Sequence, residues 1–532
     1  MKRRNLWSKA LCAVLAASLL AGCGASGGNA SAPESAAGSE AADGKLTVSV
    51  TAGGEDAMVV NTALSGTLEG LSACRHLYEG LYKLDKDGNV VLGQAASAET
   101  SEDGLTWTFK LRDDINWSDG KAVTAADFVY GWKYLKECAS DYSSLLDMVV
   151  NAEATDDKTL VVTLAYPCSY FPSVLAFPSA YPVREDIVAA NGEAYATDPD
   201  KAVYNGPYAM TAWSHQQELT MEARPEYYDA DSITVGTLNW ELMTDQSTMM
   251  NSFKSGDVIY SSSYPEQEGA ALEGNGRQFA PGYQTYCVMF NVSESGPEPL
   301  KDARVRKAMS LAIDRDRLIS IRNRNDEFAD TYAPSGLQNE AGVEFNSTVT
   351  PWFNKDDYAG NCEEAKQLMA DAGYADGAGF PSMTYIVNND NTKEIAEAIL
   401  SDWKEVLGID SITVETVDGF YAQRQDKNYD LAYYAWYMDY PDMSNMLNTM
   451  LSGANDAGYA NPAYDEAYNA AVATADPDEQ WKNYAKCEEI LAEDVPVAPL
   501  LHEENTYLFD DAGYNGLVYY CGNTFFGFVQ QN

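Results

Sequence analysis

The sequence predicts a mixed α/β fold built from several domain-sized units, and three observations carry that prediction. Residues 383–434 alternate strand-like and helix-like segments, the pattern of a partly parallel sheet flanked by helices. Earlier segments alternate apolar and polar residues around turn signals, as antiparallel strands do. At 532 residues and 45% hydrophobic content, the chain exceeds what one core serves. It divides into three or four units, or into two lobes with a third inserted.

Taken in order, Lys45 to Val50 opens the folded body as a strand, with Leu46, Val48 and Val50 on one face. Residues 81–93 carry two short strands around Asp87-Gly88, a hairpin signal. Asp85, Asp87 and Asn89 have the spacing of a calcium loop, but the glycine is misplaced and no glutamate closes it. Residues 105–112 alternate as a half-buried strand. Thr124 caps a helix with Phe128, Trp132 and Leu135 on one stripe and Asp127 completing a capping box. Residues 159–164 and 218–223 are further strands. After Pro299, residues 301–320 read as one helix carrying Val305, Met309, Ala312 and Ile313. The α/β stretch follows: a strand at 383–388, a helix from Lys393 to Leu407, and a stop at Gly408. A strand from Ile412 to Val417, a helix at 418–426 and a strand from Tyr429 to Tyr434 complete it. No repeat period appears.

The N-terminus carries address signals. Lys2, Arg3, Arg4 and Lys9 precede an apolar stretch, Leu11 to Ala21, too short to span ~30 Å of hydrocarbon as a helix. Residues 1–22 therefore read as a signal peptide. Leu20-Ala21-Gly22-Cys23 matches a bacterial lipobox, in which Cys23 is acylated and becomes the first mature residue. Residues 23–44 are small and polar and read as a flexible tether. The expected location is the extracytoplasmic face of the cell membrane, held by lipid: outside a Gram-positive cell, periplasmic otherwise. No later run reaches the ~18 apolar residues of a spanning helix.

Composition excludes several classes. Thirty-five basic against 80 acidic residues give a net charge of −45, which repels phosphate backbones, so no nucleic-acid partner is expected. His76, His215 and His502 are the only histidines and none has the spacing of a helical zinc motif, so neither metal nor cofactor is expected. Beyond Cys12 and Cys23, the cysteines are Cys74, Cys138, Cys168, Cys287, Cys362, Cys487 and Cys521. They are scattered, without a Cys-x-x-Cys pair, and read mostly as buried free thiols, one or two disulfides staying open. His-Glu-x-x-His does not occur, and the one Gly-x-Ser-x-Gly match, Gly24-Ala25-Ser26-Gly27-Gly28, lies in the small polar tether rather than at a strand-to-helix elbow, so an enzyme is not expected.

Several segments in unbroken order resemble one family. They are Arg75-His76-Leu77-Tyr78-Glu79-Gly80-Leu81 and Ser101-Glu102-Asp103-Gly104-Leu105-Thr106-Trp107. Ile115-Asn116-Trp117-Ser118-Asp119-Gly120, Val123-Thr124-Ala125-Ala126-Asp127-Phe128 and Asn205-Gly206-Pro207-Tyr208 follow. Later come Arg304-Val305-Arg306-Lys307-Ala308, Ala312-Ile313-Asp314-Arg315 and Trp436-Tyr437-Met438-Asp439-Tyr440. From about residue 45 to the C-terminus the chain resembles the extracellular solute-binding proteins, family 5, the oligopeptide-binding lipoproteins of peptide ABC importers.

The resemblance implies a two-lobed, periplasmic-binding-protein-like fold (type II, cluster C) with mixed sheets, an extra inserted domain and a hinge. Domain I would comprise 45–78, 204–283 and 502–532; domain II the insertion 79–203; domain III residues 284–501, with the hinge at crossings near 283 and 501. Asn205 and Gly206 would serve the crossover between domains. The implied function is capture of oligopeptides between the lobes and delivery to membrane-embedded permease subunits, by a monomer. A receptor for varied peptides binds the shared main chain and the α-amino group, leaving side chains in roomy, wet pockets. In the resembling family an aspartate after a tryptophan binds the α-amino group, which places Asp439 and Trp436 in the site with Tyr437 and Tyr433 beside them. The segment Thr67-Leu68-Glu69-Gly70-Leu71 resembles the one whose main chain and acid face the peptide, adding Glu69 and Leu71.

The chain also departs from the pattern. Where relatives can place an arginine near the peptide carboxylate it has Tyr433, and a histidine position nearby reads Thr392. Capture of the C-terminal carboxylate therefore falls to other cations or to none. The alternatives are another ligand of the same family (a nickel chelate, haem or a signalling peptide) or a carbohydrate-binding lipoprotein, suggested by 35 Tyr and 10 Trp.

Overall fold

The computed structural model describes residues 38–40, 44–54, 57–138, 142–339, 342–453, 455–474 and 476–532. Two long strands, Arg277–Phe290 and Val497–Phe509, pair antiparallel at the middle of a twelve-stranded mixed sheet. On one flank lie Leu431–Tyr437, Met383–Val387 and Ile412–Thr416, mutually parallel. On the other flank lie Tyr260–Ser261, Leu46–Ala52, Val235–Leu242, Glu218–Ala223 and Tyr208–Ser214. Leu46–Ala52 runs parallel to both neighbours, and its Val48, Val50 and Ala52 are fully buried. A separate antiparallel sheet holds Ala95–Thr100, Thr106–Leu111, Thr159–Leu164 and Val149–Asp156.

The two central strands are where the flanks meet, and their ladder is interrupted. Register shifts between Pro281 and Thr285, opposite Glu503, so Gly282, Tyr283 and Gln284 form a bulge. Tyr283 takes a left-handed φ of 47°. A Cβ on Gly282 would lie 2.3 Å from the Glu503 carbonyl oxygen, which explains glycine there. Bulges bend a strand and free a few residues from pairing, the local feature a hinge requires.

The α/β stretch follows the expected pattern with small shifts. The helix Asp390–Leu407 starts three residues earlier than its apolar stripe, because Asn389 and Thr392 form a reciprocal capping box. Its Trp403 is fully buried and donates to the Met309 carbonyl at 2.7 Å. The helix Ala125–Glu137 begins at Thr124 with Asp127 completing the box. Asp127 also accepts from the buried Trp117 indole at 3.1 Å, tying Trp-Ser-Asp-Gly to the helix start. Where the chain leaves and re-enters the inserted region, Asn205 accepts from Glu79 N (3.2 Å) and donates to Glu79 O (2.8 Å).

Two expectations are corrected, and the cysteines fall as expected. The helix read over 301–320 is two helices, Ala303–Leu311 and Arg315–Arg322, because Asp314 caps a second start by accepting from Arg317 N at 3.1 Å. Arg315, 2% exposed, turns back to donate to Ser310 O (3.0 Å) and Ile313 O (3.2 Å) at the first helix's end and to Pro499 O (2.8 Å). The tether expected over 23–44 is ordered at Gly38–Glu40, which pairs antiparallel with Leu46–Val48. That stretch of edge is open because Tyr260 reaches only Val50. The seven cysteines from Cys74 onward are all unpaired, and six are buried. The signal peptide and Cys23 lie outside the described residues.

His76 and His502 are core residues. His76 Nδ1 lies 2.7 Å from Ser72 O and its Nε2 accepts from Phe526 N at 2.9 Å. Burial drives both imidazoles down to about 3, so they stay neutral. We expect Gly282→Ala to cost about 1–3 kcal/mol, the usual range for forced overpacking, since carbonyl rather than side chain must yield. Urea denaturation measures it, and an unchanged midpoint would mean the bulge yields freely.

Candidate functional site

The strand Leu431–Tyr437 carries most of the site. Its alternation sends Tyr433 and Tyr437 to one face and Trp436 to the other. Beyond its end comes Asp439, half-buried, with Tyr440 turning into the short helix Met443–Leu447. Asn445 on that helix is 4% exposed and holds three groups. Its Oδ1 accepts from Trp436 Nε1 (3.1 Å) and Asp439 N (3.2 Å), while its Nδ2 donates to Asp439 Oδ2 (3.4 Å). The Trp436 indole is thus a brace for the aspartate as much as a wall.

Asp439 is where three chain regions converge. Asn445 is local, the Tyr142 hydroxyl comes from the inserted region, and Cys521 from the C-terminal segment lies near enough to feel the carboxylate. Burial pushes the Asp439 carboxyl up to about 6, against the lowering effect of Asn445 and Tyr142. No lysine, arginine or histidine among the described residues forms an ion pair with it.

Tyr437 reaches across to the second central strand, where Asn505 Nδ2 donates to its hydroxyl at 2.8 Å. Gly522 lies against the same hydroxyl. With φ +73°, it would carry a Cβ 2.6 Å from Tyr437 Oη and 2.8 Å from Leu68, so only glycine admits both neighbours. Further along, Tyr170 of the inserted region stacks on Tyr440 with ring centroids 5.4 Å apart. Ser169 and Gln480 exchange side-chain hydrogen bonds nearby.

Two cavities adjoin this strand system. One, of about 200 Å³, is lined by Tyr433, Tyr286, Arg322, Asn388, Thr392 and Glu266 among others. Tyr433 and Tyr286 lie 5.6 Å apart, and Arg322 sits 4.2 Å over the Tyr286 ring. The other, of about 150 Å³, is lined by Glu69, Tyr260, Tyr507, Tyr519, Ser262 and Asn505 among others. Arg324 borders both. The two arginines are already engaged: Arg322 with Asp326 and with Glu503 at 3.2 Å, Arg324 with Glu503 at 2.8 Å and Glu266 at 3.6 Å.

Glu69 is in the first turn of the helix Leu68–Leu77, started by Thr67, whose hydroxyl accepts from Gly70 N at 3.1 Å. Burial raises its carboxyl pKa. Leu71, offered by the sequence as a contact, has its side chain 2% exposed in the core and its N–H bonded to Thr67 O at 2.9 Å. Two helix positions, a little over half a turn, separate Glu69 from Leu71, so they point to different faces. Thr392 is explained by the helix cap. Sequence reasoning missed Asn445, Tyr142, Arg322 and Arg324. The two arginines share a turn made by Asn323 in the left-handed conformation, φ 48°, an Arg-Asn-Arg signal within an acidic chain.

Asp439 binds its proton more tightly folded, near 6, than at its ordinary 3.8. Between those values the folded state holds the extra proton, so the Asp439 contribution to stability falls as pH rises from about 4 through 6 and stays unfavourable at pH 7. Asp439→Asn should therefore stabilise the unliganded protein at pH 7 by about 1–2 kcal/mol and by almost nothing at pH 4. Urea midpoints for both proteins across this range give the difference, which cancels Glu488 (raised to about 7) and Asp402 (about 6). A difference independent of pH would contradict the assignment.

The family model for bacterial extracellular solute-binding proteins, family 5 Middle, matches residues 89–458. The periplasmic oligopeptide-binding protein OppA of Salmonella typhimurium is 31% identical over 472 residues, 83% of this chain and 85% of that protein. The oligopeptide-binding protein OppA of Bacillus subtilis is 27% identical over 540 residues, 96% of each. Haemophilus influenzae OppA in complex with RPPGFSPFR superposes with a TM-score of 0.73 at 26% identity, over 90% of this chain and 98% of that one. The Escherichia coli murein tripeptide-binding protein MppA gives 0.74 at 25%, over 92% and 99%. With the mixed sheet, the inserted region and this breadth of match, the chain belongs to the family 5 bacterial extracellular solute-binding proteins, two-lobed binding proteins rather than enzymes.

Proposed function

We propose that this chain is the extracytoplasmic receptor of a peptide ABC importer, anchored through a lipid on Cys23 and delivering its cargo to permease subunits. The peptide's α-ammonium sits on Asp439, and its main chain runs beside the strand Leu431–Tyr437 with Tyr437 and Tyr433 along it. The observation that carries this reading is Asp439 itself, a half-buried carboxylate braced by Asn445 and Trp436 and without an ion-pairing cation among the described residues. An α-amine, cationic at pH 7 with a reference pKa near ~7.7–8.0, is the complement that every peptide offers. The oligopeptide-binding relatives support the ligand class. The bulge at Gly282–Gln284 supports a hinge, and Tyr142 and Tyr170 support closure of the inserted region onto Asp439 and Tyr440. At the two cavities the arginines Arg322 and Arg324 are already paired with Glu503, so we assign the peptide carboxylate to water and main chain.

Asp439→Ala should weaken peptide binding by about 2–5 kcal/mol, the range for removing one partner of a desolvated charge pair. Calorimetry with free and N-acetylated forms of one peptide tests the same contact from the ligand side. Equal affinity for both forms would remove Asp439 from this role. Cargo released from the purified protein and weighed by native mass spectrometry identifies the ligand class; a saccharide or a haem there would replace the peptide reading.

A further inference from the structure

The charges around the two cavities do not balance once the α-ammonium is in place. Asp439 takes that cation. Arg322 and Arg324 are matched by Glu503, Asp326 and Glu266. Glu69 remains. It forms no ion pair among the described residues, its carboxyl is half-buried, and the backbone presses close, an added Cβ on Gly53 lying 3.3 Å from Glu69 Oε1. Burying an unmatched carboxylate costs free energy that neither packing nor a helix N-terminus restores in full.

The cavity over Glu69 has the walls of a cation site. Tyr507 and Tyr519 stack in parallel with centroids 4.5 Å apart, and Tyr260 lies 5.7 Å from Tyr507. Aromatic faces attract ammonium and guanidinium groups and accept the methylenes behind them. Ser262 Oγ, on the same wall, has no hydrogen-bond partner among the described residues and can accept one. At about 150 Å³ the space exceeds several water volumes of ~30 Å³ each. Asn505 lines it and also holds the Tyr437 hydroxyl, two residues before Asp439, so the cavity adjoins the amino-terminal end of the proposed peptide path.

We propose that this cavity is a specificity pocket for a basic side chain, lysine or arginine, near the amino terminus of the bound peptide, with Glu69 as its counter-ion and Tyr507, Tyr519 and Tyr260 as its walls. The inference rests on the peptide reading above and narrows it to cationic peptides. The net charge of −45 acts in the same direction, concentrating cationic ligands at the surface before docking.

The test is a calorimetric scan of the full-length protein with alanine pentapeptides carrying lysine, or its neutral near-isostere norleucine, at position 1, 2 or 3. At one position lysine should bind about tenfold more tightly than norleucine, equivalent to ~1.4 kcal/mol, and the ratio should shrink as salt rises. In Glu69→Gln that ratio should fall to about one, whatever the variant's affinity for the alanine host. Equal affinity for lysine and norleucine at all three positions, with the alanine host still bound, overturns the pocket and leaves the receptor standing. An undiminished lysine preference in Glu69→Gln also overturns it. Failure of every peptide to bind the parent protein overturns the receptor reading instead.

Discussion

A carboxylate taken out of water without a cation is unstable relative to its protonated form, and the site is organised around tolerating that at Asp439. Asn445 supplies the tolerance. By accepting from Trp436 and Asp439 N and donating to the carboxylate, it fixes the position of the charge without neutralising it. A lysine in its place would neutralise the group and remove the incentive to bind. The free protein is thus held slightly unfavourable at one point, and under the proposed peptide reading a ligand's ammonium relieves it.

The second constraint is mechanical. Among the described residues, the two flanks of the large sheet are joined by the pairing of Arg277–Phe290 with Val497–Phe509. The strand ends are pinned from outside the sheet: Arg306 donates to Val495 O at 2.9 Å and to Leu300 O at 2.7 Å, and Arg315 to Pro499 O. Rigid pins on one side and a bulge at Gly282–Gln284 concentrate bending in a few residues. Tyr437, Asn505 and Gly522 then meet across the boundary at contact distance, which makes the boundary sensitive to whatever lies between.

Much of the fold was legible because local chemistry and tertiary structure agree. Asp390–Leu407 announces itself by its stripe and Gly408, Ala125–Glu137 by Thr124 and Asp127, and 218–223 by alternation. The broken helix after Pro299 was not legible, since its apolar spacing continues through Asp314 and only the buried Arg315 shows why the turn is stable. Gly38–Glu40 was hidden because small polar residues carry no burial pattern, and their pairing depends on an edge set by distant Tyr260. For the site, Asp439 and Trp436 were put forward through resemblance, as spacing cannot tell one aspartate from dozens. Asn445, Tyr142 and Arg324 arrive from separate elements and have no signature in one dimension. Leu71, two helix positions from Glu69, lies on the core-facing side of the same helix.

The unpaired cysteines have a wider meaning. Six of the seven described thiols are enclosed, and burial raises the pKa of Cys74, Cys287 and Cys521 far beyond the range where thiolate forms. Among the described residues no disulfide constrains the unfolded chain, and six of the seven sulfurs are shielded from solvent oxidants. The described fold therefore rests on non-covalent contacts alone, and its core does not depend on thiol oxidation.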